Sequence, residues 1–126
     1  MSQTILVIED NEQNLYLTRF LLTRAGYAVH SATSAREGIE TASDLRPDGI
    51  ILDIQLPEMD GYQVARHLRE IPGLSSTPII AVTSYAMVGD KEQALAAGCT
   101  GYLEKPINPE TFTTDVARYL SPGEPR

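Results

Sequence analysis

The sequence has a single cysteine among 126 residues, so no internal disulfide can brace it. It is also short of positive charge: ten Lys plus Arg stand against seventeen Asp plus Glu, for a net charge of -7. Such a surface repels phosphate backbones and anionic lipid, which argues against nucleic acid and against a membrane as direct partners. No apolar run reaches membrane-spanning length and no basic-then-apolar leader opens the chain, so a cytoplasmic protein is expected. Neither a dinucleotide fingerprint nor a P-loop occurs, and there is no internal repeat or low-complexity segment. What is present, 42% hydrophobic and 21% charged residues, fits one globular domain with a core of its own. That domain is expected over residues 1–120. The last six residues, Ser-Pro-Gly-Glu-Pro-Arg, have no apolar anchor and read as a flexible tail over 121–126.

Five short apolar runs alternate with stretches of helical period, the pattern of repeated βαβ units. The runs are Thr4 to Ile8, Tyr27 to Ser31, Gly49 to Leu52, Pro78 to Val82 and Gly101 to Leu103. Between them, Asn11 is placed to cap a helix with Leu15, Thr18, Leu22 and Ala25 inward, and Ser34 with Glu37 has capping-box spacing. A third helix carries Val64, Ala65, Leu68 and Ile71 on one face. The fourth, from about Gly89, offers only Ala94, Leu95 and Ala97, a thin face suited to a mobile element. The last opens at Asn108-Pro109-Glu110 and bears Phe112, Val116 and Leu120. Runs one, three and four are continuously apolar, as central parallel strands must be, whereas run two holds His30 and Ser31 and run five is very short. Right-handed crossovers then favour a doubly wound parallel sheet in the order 2-1-3-4-5, the flavodoxin-like α/β arrangement.

In such sheets ligands bind outside the carboxyl ends of the strands. Those ends carry Glu9-Asp10, Asp53, Thr83 and Lys105. With strands about 4.8 Å apart, Asp10 and Asp53 are expected to face each other across one spacing, with Thr83 one spacing beyond. Lys105 starts roughly 10 Å from Asp53, a gap its long stem can largely close. Carboxylates converging in one crevice raise at least one pKa unless a cation is present, and an open carboxylate site suits Mg²⁺. The hydroxyl and the ammonium are donors matched to an oxyanion that arrives later. Together these groups read as a phosphoryl-transfer site with Asp53 as nucleophile. Gln55 lies two residues after Asp53 and Tyr85 two after Thr83, so both are expected to rim the mouth, Gln55 orienting a hydrolytic water and Tyr85 excluding one. Gln55 in place of a second Asp also disfavours turnover phosphatase chemistry. His30 and His67 are too isolated for a metal site, and Cys99 reads as a small buried hydrophobe.

With Glu9-Asp10, Asp53, Pro57, Gly61, Thr83 and Lys105-Pro106 in register, the chain from Ile5 to Leu120 resembles a response regulator receiver domain of two-component phosphorelay systems. Within that family it is most similar to stand-alone cell-cycle regulators and hybrid-kinase receivers. The resemblance implies that Glu9, Asp10, Asp53 and the Gln55 backbone carbonyl hold Mg²⁺, the acid pair Glu9 and Asp10 directly or through water. It implies that Asp53 is phosphorylated from a histidine kinase or histidine phosphotransfer protein, and that Thr83 and Lys105 bind the phosphoryl group. Tyr102 would turn inward as Thr83 moves, changing a surface of the fourth helix, fifth strand and fifth helix that meets a protein effector. Lys105-Pro106 would be a cis peptide. The family fold also admits another reading, a docking module that is never phosphorylated.

Overall fold

The computed structural model describes residues 3–84 and 89–120. Five parallel strands, β1 (Thr4–Ile8), β2 (Ala28–Ala32), β3 (Gly49–Asp53), β4 (Ile79–Thr83) and β5 (Gly101–Glu104), form one sheet in the order β2-β1-β3-β4-β5. The helices between and after them are α1 (Glu12–Arg24), α2 (Ala35–Leu45), α3 (Gly61–Glu70), α4 (Asp90–Ala96) and α5 (Phe112–Leu120). β3 and β4 are buried at every position, while the edge strand β2 alternates exposed and half-buried residues until Ala32. Side chains alternate across each strand, so the sheet has two apolar faces. Ile5, Val7, Ile51, Ile80 and Val82 pack with Leu22 of α1 and with Phe112, Val116 and Leu120 of α5. Leu6, Ile8, Ile50, Leu52, Ile79 and Ala81 pack on the other side against α2, α3 and α4.

Local chemistry sets the helix ends. Asn11 accepts the Asn14 backbone N–H at 2.9 Å and Ser34 accepts that of Glu37 at 3.1 Å. The Glu37 carboxylate reaches back to the Thr33 N–H at 2.8 Å, one residue before the cap. Asn108 caps a turn through the Glu110 N–H, and α5 begins only at Phe112.

The thin fourth helix is thinner still than its sequence suggests: Ala94 and Ala97 are buried but Leu95 is 47% exposed. α4 has seven residues and no side-chain cap at Gly89. Ala25, expected on the inner face of α1, is instead its exposed C-cap, because the helix ends one residue earlier. Cys99 is buried, and desolvation pushes its thiol up to about 11, so it behaves as a small hydrophobe.

The return from α3 to β4 is tied by Arg69. Its guanidinium donates to the carbonyls of Gly98 at 2.9 Å, Leu74 at 2.8 Å and Thr77 at 2.6 Å, and to Thr100 Oγ1 at 3.3 Å. Thr100 Oγ1 in turn accepts the Ile79 N–H at 3.1 Å. One side chain thus joins the end of α3 to the starts of β4 and β5, a role its place in the last turn of α3 did not announce.

Candidate functional site

Asp53 ends β3 in a buried position, 3% exposed. The chain after it leaves the sheet and is closed by the Gly61 N–H, which donates to the Ile54 carbonyl at 2.9 Å. Gly61 has no room for a side chain: a Cβ there would lie 2.6 Å from Ile54 Cα and 2.9 Å from the Asp53 carbonyl oxygen. That close approach brings the first turn of α3 against the Asp53 loop. Asp60 then starts the helix by accepting the Gln63 N–H at 3.0 Å.

Ile8 pairs with Leu52, so the residue next across from Asp53 on β1 is Glu9 and not Asp10. This corrects the expectation from strand spacing alone. Glu9 is 5% exposed and Asp10 stands at the exposed rim. Glu9 Oε2 accepts the Asn11 N–H at 3.1 Å, and Lys105 Nζ lies 2.9 Å from Glu9 Oε1 and 3.4 Å from Asp53 Oδ1. Lys105 crosses the gap left by two strand spacings, and its peptide to Pro106 is cis. The Lys105 backbone N–H also donates to the Thr83 carbonyl at 2.8 Å, which ties the ends of β4 and β5 together.

One oxygen from each of Glu9, Asp10 and Asp53 lies within 4.8 Å of the others. Burial, a hydrogen bond shared with the Glu9 carboxyl and repulsion from it hold Asp53 above its ordinary pKa. The Gln55 N–H, 3.0 Å from Asp53 Oδ1, and the Lys105 ammonium offset this only in part. Hard oxygen donors, excess negative charge and an exposed rim at Asp10 fit a hydrated divalent cation such as Mg²⁺.

The Gln55 side chain is half-buried between the ends of β3 and β4. Its amide nitrogen donates to Thr83 Oγ1, and its carbonyl oxygen accepts the Ser84 N–H at 3.0 Å. Tyr85, expected on the opposite rim, lies outside the described residues, as does the tail at 121–126. Tyr102 sits on β5 with its ring packed against the core that includes α3 and α4, and its buried hydroxyl has no partner among the described residues. Nearby, Tyr62 of α3 donates to the Asp90 carbonyl of α4 at 3.5 Å, the outer limit of a hydrogen bond.

The family pattern of the response regulator receiver domain matches residues 5–117. This chain belongs to that family. Among relatives of the receiver, the polar-differentiation response regulator DivK of Brucella ovis is 38% identical over 120 residues, covering 95% of this chain and 98% of its own length. Among solved structures, a chemotaxis response regulator of Vibrio cholerae superposes with a TM-score of 0.90 at 31% identity, over 94% of this chain and 99% of that one. The receiver domain of a sensor histidine kinase from Pseudomonas aeruginosa, which carries a magnesium ion in its active-site cleft, superposes at 0.87 with 33% identity, over 95% of this receiver and 98% of its own chain. The five-stranded order and the signalling class expected from the sequence are therefore those of the protein. No described helix is long and apolar enough to cross a membrane.

Proposed function

We propose that this receiver takes a phosphoryl group onto Asp53 from a phosphohistidine of a histidine kinase or phosphotransfer protein. The observation that carries this reading is the buried Asp53 carboxylate, held at one oxygen by the Gln55 N–H and Lys105 and flanked by a second and a third carboxylate. An Asp53 oxygen attacks phosphorus in line, the phosphorus–nitrogen bond breaks, and the donor imidazole keeps the bond pair and takes up a proton. Lys105 and the Thr83 hydroxyl donate to the oxygens of the transferred group. Glu9, Asp10, Asp53 and the Gln55 carbonyl would hold Mg²⁺, which when bound supplies positive charge to the transferring oxygens.

The signal passes to a protein effector through the surface of α4, β5 and α5. Thr83 ends β4 and Lys105 follows β5, so both reach the site from strands that support that surface, and among the described residues the buried apolar side chains of α4 and its C-cap are Ala94 and Ala97 alone. An element so weakly held changes position at low cost. Intact mass after incubation with acetyl phosphate and Mg²⁺ tests the proposal: wild type gains one phosphoryl group and Asp53→Ala gains none. A wild type that gains nothing would mean that the domain acts by docking alone.

A further inference from the structure

Gln55 connects three groups of the site. Its backbone N–H donates to Asp53 Oδ1 at 3.0 Å, its amide nitrogen donates to Thr83 Oγ1, and its carbonyl oxygen accepts the Ser84 N–H at 3.0 Å. A backbone N–H can only donate, so Ser84 fixes which end of the amide is which. The nitrogen must then face Thr83. A hydroxyl oxygen that accepts from that nitrogen directs its own proton away from Gln55. In that orientation Thr83 is a donor, and accepting a bond strengthens the one it gives. The side chain also spans the ends of β3 and β4, where Asp53 pairs with Val82 and Thr83 is the next residue.

We infer that Gln55 is a positioning residue that orients the Thr83 hydroxyl as a donor toward a phosphoryl group on Asp53, and that its amide is committed to this task and not to a hydrolytic water. The inference rests on the phosphoacceptor reading above. It implies a specific dependence: the Gln55 amide matters to the phosphorylated state only while Thr83 has a hydroxyl. Loss of one neutral hydrogen bond predicts about a fivefold effect.

The test is a double-mutant cycle on the affinity for beryllofluoride, a phosphoryl mimic, in Mg²⁺, followed by fluorine NMR. Gln55→Met, which keeps the length and removes both hydrogen bonds, weakens binding about fivefold in wild type. In a Thr83→Ala background it weakens binding no further, and in a Thr83→Ser background the loss returns. Amide exchange on the metal-free protein adds a readout independent of the mimic: the Ser84 N–H loses protection in Gln55→Met. Should that variant not fold, Gln55→Leu carries the same cycle, because it too removes both side-chain hydrogen bonds and adds no charge to the carboxylate cluster. Equal losses with and without the Thr83 hydroxyl, or no loss in wild type, would overturn the inference while leaving Asp53 as the acceptor. A wild-type protein that binds no beryllofluoride would instead overturn the phosphoacceptor reading itself.

Discussion

Replacing Asp53 with Asn should make the protein more stable, and the gain should shrink as pH falls. Asp53 is buried beside Glu9, and burial together with that neighbour outweighs the help from Lys105 and the Gln55 N–H, so its pKa is raised in the folded state. The folded protein therefore binds this proton more tightly than the unfolded chain does. Stability falls as pH rises from the unfolded carboxylate pKa through the folded one, and the full penalty is present above the folded pKa. As pH drops toward the unfolded carboxylate value of about 3.9, the penalty disappears. Asn keeps the shape and can still accept the Gln55 N–H, but it brings no charge. It also gives up the 3.4 Å contact with Lys105, which remains paired with Glu9 at 2.9 Å. Each unit by which burial and Glu9 raise the folded pKa is worth about 1.4 kcal/mol, and the gain on removing this one charge is of that order. In a domain of this size each kcal/mol raises Tm by about 3 to 5 °C. Urea unfolding of both proteins in chelator, from pH 5 to pH 8, measures the difference directly. Saturating Mg²⁺ should narrow it, since a ligand at a hundredfold its Kd adds about 2.7 kcal/mol to the protein that binds it. An Asp53→Asn variant less stable than wild type at pH 8, or a difference that grows toward low pH, would show that Lys105 fully compensates Asp53 and that the site stores no electrostatic strain.

Asp10→Ala removes the exposed carboxylate of the cluster and should weaken Mg²⁺ binding by more than about tenfold, with loss of acetyl phosphate labelling; calorimetric titration and intact mass check the two effects. Arg69→Met leaves three carbonyls and Thr100 without their donor and should cost about 3 kcal/mol in urea unfolding, although Arg69 touches no residue of the carboxylate cluster. Beryllofluoride with Mg²⁺ should change hydrogen exchange in α4, β5 and α5; changes confined to α1 and α2 would sink the proposed coupling through Thr83 and Tyr102.

Much of this molecule is legible in its sequence because a parallel sheet covered on both faces leaves a coarse signal. Ile50, Ile51 and Leu52 are apolar without alternation since both faces of β3 are buried, and His30 and Ser31 mark β2 as an edge for the opposite reason. Strand order follows from those two cues and from handedness. The ends of the strands then bring Glu9, Asp10, Asp53, Thr83 and Lys105 to one crevice, which needs topology but no detailed packing.

What was not legible depends on register and on side-chain direction. Strand spacing alone sets Asp10 opposite Asp53, but the pairing of Ile8 with Leu52 moves the facing position to Glu9, and a shift of one residue exchanges the buried carboxylate for the rim one. Gln55 could be placed near the mouth by counting from Asp53, yet two quite different jobs are open to an amide there. Only the positions of Thr83 and the Ser84 N–H distinguish them, and those lie at the end of β4 and just beyond it, almost thirty residues away in sequence. Leu95 misleads for a related reason: its apolar side chain belongs to a helix so short that two alanines fill the face it presents. Fold class thus follows from patterns along the chain, whereas the roles within the site follow from contacts between strand ends. Asp53 is accordingly the most legible residue of the site, since its burial and strand position coincide, and Gln55 the least, since its hydrogen bonds bridge two strands.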